Sequence, residues 1–115
     1  MMRTTGKLDY VEMPATGARL DRTKAFYSAA FGWAFTDYGP TYAAFDEGIE
    51  GGFQADADEA PTAPLPVLYS DDLEETLAAV EAAGGEILKP IFAFPGGRRF
   101  HFRDPAGNEL AVWGA

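Results

Sequence analysis

The chemistry this sequence can offer is concentrated near its end. Arg99, His101 and Arg103 alternate with Phe100 and Phe102, and Glu109, Ala111 and Trp113 alternate with Leu110 and Val112. Strict alternation marks a strand with two unlike faces. Between the two runs lies Asp104-Pro105-Ala106-Gly107-Asn108. Pro pre-sets φ, Gly accepts positive φ, and Asp and Asn bond to their own backbone, so the segment reads as the turn of a β-hairpin. One face of that hairpin is apolar. The other carries arginines, the chain's single histidine, a glutamate and a tryptophan.

An antiparallel sheet in a small domain commonly buries one face and wets the other. The polar face is therefore either a solvated exterior or a binding surface. Trp113 and His101 favour a binding surface, because both are costly residues to leave merely wet. His101 titrates near neutrality and could act as a general acid or base. If the hairpin pairs symmetrically about residues 104–108, His101 lies opposite Ala111, with Glu109 two residues earlier on the same face. A one-residue slip would invert these assignments.

Composition narrows the partners. The chain has 115 residues, enough for one domain with a real core, and 47% of them are hydrophobic. Nine Lys+Arg against 18 Asp+Glu give a formal net charge of -9, which disfavours nucleic acid and anionic membrane surfaces. The cluster of Arg98, Arg99 and Arg103 is a local exception of a size to hold a small anion. With no cysteine there are no disulfides, thiolate nucleophiles or zinc–sulfur sites. No apolar run is long enough for a membrane span, and no apolar signal core opens the chain. The expectation is a cytoplasmic protein.

The elements that must position these residues can be read in order. Residues 8–13 alternate as a strand ended by Pro14. Leu20, Thr23, Phe26, Tyr27, Ala30 and Phe31 make one stripe of a helix over Leu20–Phe31, with Gly32 as its stop. Residues 33–37, 41–46 and 51–54 read as three strands, the last weakened by glycines. Residues 55–64 are acidic and proline-bearing, a linker or surface loop. A strand over 65–70 leads to Asp71, expected to cap a second helix with Glu74 in a capping box. Leu73, Leu77, Val80 and Ala83 line that helix, and Gly84-Gly85 ends it. Residues 86–89 are a strand broken by Pro90, and the hairpin follows.

The order strand, helix, three strands occurs twice. Shifting by about 53 residues sets Ala25 on Ala78, Tyr27 on Val80, Ala30 on Ala83 and Gly32 on Gly85. The expected fold class is α+β: two tandem β-α-β-β-β modules forming a curved mixed sheet, a cup, with helices on the outer face. One domain over 1–115 would comprise a first module at about 7–54, a linker at 55–64 and a second module at about 65–115.

Here the chain resembles the vicinal oxygen chelate superfamily, which includes glyoxalase I, fosfomycin and bleomycin resistance proteins and extradiol dioxygenases, and within it the short glyoxalase-like branch. The matching residues are Tyr10-Val11-Glu12-Met13-Pro14, Lys24-Ala25-Phe26-Tyr27-Ser28, Phe31-Gly32-Trp33, Asp71-Asp72-Leu73 with Ala82-Ala83-Gly84-Gly85, and Phe102-Arg103-Asp104-Pro105-Ala106-Gly107-Asn108. The resemblance covers nearly the whole chain and implies a small-molecule ligand and a homodimer. Metal-dependent members carry ligands where this chain has Tyr10, Leu65 and Ala111, none of which suits a divalent metal. With one histidine, a two-histidine site within one subunit is impossible.

Two arrangements of the remaining polar residues stay open. Glu12, which shares the inner face of the first strand with Tyr10, could join His101 and Glu109 in a displaced metal site. Alternatively Arg99 and Arg103 pair with Glu109 or Glu12 in a buried salt-bridge network. Tyr10, Tyr42, Tyr69 and Trp113 suit the lining of a site for an aromatic or planar ligand, with Arg99, Arg103 and Glu109 as its polar contacts. The plainer alternative makes several of these ordinary core aromatics. The leading expectation is a binding protein of the bleomycin-resistance type, without cofactor, for an aromatic or anionic small molecule. The alternative is a lyase- or isomerase-type enzyme, using a displaced divalent metal or, metal-free, His101 and Glu12 as catalytic residues.

Overall fold

The computed structural model describes residues 3–115. It contains two helices and an eight-stranded mixed sheet, the α+β class expected. The chain divides into two compact units, one spanning Tyr10–Leu65 and the other Pro66–Ala115 together with the N-terminal segment up to Asp9.

The first module comprises β1 (Leu8–Pro14), α1 (Leu20–Phe31), β2 (Thr36–Asp37), β3 (Tyr42–Asp46) and β4 (Glu50–Gln54), with its strands ordered β2-β3-β4-β1. β1 and β4 are parallel, Glu12 standing opposite Gly52, while β3 and β4 are antiparallel. The second module repeats the scheme with β5 (Leu65–Tyr69), α2 (Leu73–Ala82), β6 (Glu86–Phe94), β7 (Gly97–Arg103) and β8 (Glu109–Gly114), ordered β5-β8-β7-β6. Again the first strand runs parallel to the last, and the last two pairs are antiparallel. The element-level duplication is thus present in the pairing as well as the order.

Each sheet half gives its apolar face to its own helix. In the first module Leu20 joins Ala15, Ala43, Phe45 and Phe53, with Tyr27, Trp33 and Phe35 packed around them. The Tyr27 and Trp33 rings stack at 4.6 Å, and Trp33 meets Phe45 at 4.8 Å. In the second, Leu73 of α2 packs with Phe100 and Val112, bordered by Leu68, Leu77, Val80, Ile87, Ile91 and Phe102. The opposite face carries the alternate residues, a mixture of buried apolar groups such as Leu65, Val67 and Ala111 with the polar ones.

Several sequence expectations are corrected. The α1 stripe is narrower than read: Phe26 is 57% and Phe31 65% exposed, so only Leu20 and Tyr27 of the large residues face the core. The strand expected over 33–37 shrinks to Thr36–Asp37, although Trp33 and Phe35 both pack on the aromatic core as alternation predicts. β4, weakened by glycines in the sequence, is a full strand between β3 and β1. Its glycines make room: a Cβ at Gly51 would meet Phe45 and the Val11 carbonyl, and one at Gly52 would meet the Tyr42 ring. β6 continues through Pro90, with register shifts between Ile87 and Lys89 and between Lys89 and Phe92 that absorb its missing donor. The cap of α2 is Asp72, whose Oδ1 accepts from the Glu75 N–H at 3.0 Å.

Candidate functional site

The hairpin places the functional residues because its turn is tightly fixed. Asp104 Oδ1 accepts from the backbone N–H groups of Ala106 and Asn108, both at 2.9 Å, and Oδ2 accepts from Asn108 Nδ2 at 3.0 Å. The Asn108 side-chain bond, ahead of these backbone bonds, holds the Asp104 carboxyl below its usual range. Gly107 supplies φ +90°. The resulting register sets His101 opposite Ala111, as the symmetrical pairing predicts, Arg99 opposite Trp113 and Arg103 opposite Glu109. Phe100 and Val112 point toward α2, so Arg99, His101, Glu109 and Trp113 share the other face.

His101 is the centre of this face. It is 3% exposed, and its Nδ1 lies 2.8 Å from Glu109 Oε2. Nε2 is buried and has no hydrogen-bond partner among the described residues. Burial lowers the imidazole pKa and is the largest effect. The Glu109 bond opposes it, while Arg99 and Lys89 add to it. A neutral imidazole bonded to a carboxylate places its proton on Nδ1, which leaves the Nε2 lone pair as an acceptor.

Aromatic groups surround this pair. The Arg99 guanidinium lies 5.3 Å from both the Phe92 and Phe94 ring centroids, leaning toward β6. Phe92 also lies 5.8 Å from the His101 ring. On the β8 side Trp113 meets Tyr69 edge-on at 5.4 Å and donates from Nε1 to Asp9 Oδ2 at 2.9 Å. Phe92, Phe94 and Asp9 were not in the sequence-derived set. The alternation of Phe92 and Phe94 on one side of β6 was a usable signal, but Pro90 obscured the strand.

Two of the charged groups expected in a salt-bridge network take other partners. Arg103 meets Glu86 at 2.9 Å on an exposed strand end, and the Glu109 carboxylate takes His101 instead. Arg98 pairs with Glu74 at 2.7 Å, which raises the Arg98 pKa and lowers that of Glu74. Arg98 and Arg103 therefore stand apart from Arg99.

In the first module, the corresponding face carries Tyr10 and Glu12 of β1 and Tyr42 of β3. The Tyr10 and Tyr42 hydroxyls hydrogen-bond to each other, and Glu12 is 6% exposed. Gly52 is what permits this, since the Tyr42 ring lies across it. Gln54 shares the row and was also missed by sequence reasoning.

A metal is tested by the donors. Among the described residues no three His, Cys, Asp or Glu side chains form a group that could hold a metal ion. At the superfamily's ligand positions, Leu65 is 2% and Ala111 0% exposed, and Tyr10 is committed to Tyr42. The residues present do not fit the metal. Among the described residues, no helix is long and apolar enough to cross a membrane.

Known proteins place this fold. The structure is similar to a glyoxalase/bleomycin resistance protein/dioxygenase superfamily member from Vibrio splendidus 12B01, with TM-score 0.73 and 13% identity over 95% of this chain and 100% of that one. It is similar to methylmalonyl-CoA epimerase from Mycobacterium tuberculosis, with TM-score 0.68 and 13% identity over 99% and 92% of the two chains. It is also similar to the Mn(II)-bound glyoxalase from Novosphingobium aromaticivorans, with TM-score 0.66 and 23% identity over 98% of this chain and 40% of that one. At such identities these likenesses establish the fold alone. No curated protein sequence matches. The sequence profile that describes the Glyoxalase/Bleomycin resistance protein/Dioxygenase superfamily matches residues 7–112. With a match of that extent on a twice-repeated β-α-β-β-β chain, the protein belongs to the Glyoxalase/Bleomycin resistance protein/Dioxygenase superfamily.

Proposed function

We propose that this chain is a cytoplasmic, glyoxalase-like small-molecule-binding domain of the bleomycin-resistance type that works without the superfamily metal. One observation carries the reading: His101 Nε2 is buried and lacks a partner among the described residues, while Nδ1 is held by Glu109. A buried acceptor without a donor is costly unless a ligand supplies one. The rings of Phe92, Trp113 and Tyr69 on the same module suit an aromatic ligand, and Arg99 suits an anionic group on it. The ligand class is a planar aromatic compound bearing an O–H or N–H donor for Nε2 and an acidic group. Tyr10, Glu12 and Tyr42 are the contacts proposed from the first module, and Arg103 is a peripheral one.

The test is a thermal-shift and calorimetric screen of hydroxylated and amino-substituted aromatic acids against the wild type and His101→Ala. A ligand that binds the wild type at micromolar levels and loses at least tenfold in His101→Ala, with no change on adding a chelator, supports the reading. Ligands that bind both proteins equally would sink it.

The Glu109–His101 pair favours a second reading, metal-free lyase or isomerase chemistry. In a carboxylate-oriented imidazole the free nitrogen is placed to take a proton. Glu12 would be the second acid–base group. Turnover that survives a chelator and is lost in His101→Ala would move the assignment from binding to catalysis.

We further propose a homodimer. Phe26 and Phe31 leave a large apolar area exposed on α1, with their rings 6.2 Å apart.

A further inference from the structure

One acidic oxygen in the second unit is used twice. Asp9 Oδ2 accepts from Trp113 Nε1 at 2.9 Å and from Arg3 Nε at 3.0 Å. The Arg3 guanidinium lies over the Trp113 ring, with Cζ 5.1 Å from the centroid. The Asp9 side chain is 13% exposed and that of Arg3 34%. An indole face, an edge-on tyrosine and a mostly buried carboxylate fixed by the indole N–H are the groups that recognise a planar cation.

The cation now there belongs to the chain's own N-terminal segment. Residues 3–7 are exposed, and they are tethered at Gly6 and Lys7, which bond to the Tyr69 backbone at 2.9 and 3.1 Å. Thr5 Oγ1 accepts from the Asp71 N–H at 3.0 Å. Arg3 precedes these anchors in the chain, so rotation of its side chain off the ring leaves the backbone bonds at Gly6 and Lys7 in place. Arg99, the cross-strand neighbour of Trp113, leans the other way, onto Phe92 and Phe94. The Trp113 face is thereby left to a cation that Asp9 can neutralise, and the formal net charge of -9 favours cations in general.

We propose that Asp9, Trp113 and Tyr69 form a subsite for the guanidinium or alkylammonium group of a small molecule, with Arg3 as its resident, displaceable occupant. The Arg3 end of both contacts is one-third exposed, which keeps its ion pair and its cation–π contact weak, so a ligand displaces Arg3 at a penalty of about tenfold in affinity. The subsite shares Trp113 and Tyr69 with the aromatic lining proposed above, but it does not use His101. The two readings fail separately, because His101→Ala leaves Asp9, Trp113 and Arg3 in place.

The experiment titrates N-acetyl-arginine methylamide into the protein while following the Trp113 indole N–H resonance, assigned with Trp33→Phe. The uncharged citrulline analogue is the control. The expected result is a saturable shift in Arg3→Ala and Arg3→Gln with about tenfold tighter binding than in the wild type. Asp9→Asn in the Arg3→Ala background abolishes it, and citrulline produces none. Equal affinity in the wild type and the Arg3 variants would overturn the proposal. So would no saturable shift in either variant, or an equal response to citrulline.

Discussion

At the residue scale, His101 is the group whose behaviour is most open to measurement, because it is the chain's only histidine. In the unfolded chain the imidazole takes its proton near pH 6.5, and in the fold burial shifts that uptake to lower pH. Between the two values the unfolded chain binds more protons, so acid favours unfolding. Its contribution to stability is complete above pH 6.5 and is lost as pH falls through 6.5 toward the folded value. Denaturant midpoints measured from pH 8 to pH 5 should fall with a component that His101→Gln removes, since glutamine does not titrate. An unchanged profile in His101→Gln would show that carboxylates alone set the acid limit. Gly52 gives a second prediction at this scale. Gly52→Ala puts a methyl group where the Tyr42 ring lies, which should cost about 1–3 kcal/mol by chemical denaturation and shift the Tyr42 ring resonances.

At the element scale, the helix α2 tests local chemistry against tertiary context. Asp72→Ala removes the acceptor for the Glu75 N–H and should destabilise the protein by about 1 kcal/mol, whereas Asp71→Ala should have a much smaller effect. The sequence offers two adjacent aspartates, and local preference does not distinguish them. Their roles are decided by where the chain leaves β5: Ser70 Oγ accepts from the Asp72 N–H at 3.0 Å, and Asp71 turns toward Thr5. The hairpin was readable because its signals are local, an alternating pattern and a turn whose Asp104, Gly107 and Asn108 satisfy their own backbone. β4 was hard to read for the opposite reason. Its glycines weaken a strand in isolation and are explained only by the rings of Phe45 and Tyr42 from the neighbouring strand. α1 shows a third kind of failure, since a helical stripe of aromatics does not reveal how much of it the sheet covers. Phe26 and Phe31 fall beyond that edge.

At the whole-molecule scale two outcomes are expected. The purified protein should elute and scatter light as a dimer at micromolar concentration, and Phe26→Glu with Phe31→Glu should halve that mass. A wild-type monomer would refute the dimer. Ligand affinity should be unchanged after chelation and after re-addition of divalent ions, because the donor residues for a metal are not gathered among the described residues. A stoichiometric metal that raises affinity would refute this. By itself the sequence determined the α+β class, the duplicated module, the superfamily and the His101–Ala111 register, because periodicity, turn chemistry and short motifs are properties of neighbouring residues. Only the tertiary structure decided which charges meet. Glu109 holds His101 rather than an arginine, Arg103 goes to Glu86, and Asp9 serves both Trp113 and Arg3. Those pairings join residues up to 104 positions apart, and side-chain reach between strands, which no local pattern encodes, selects among them.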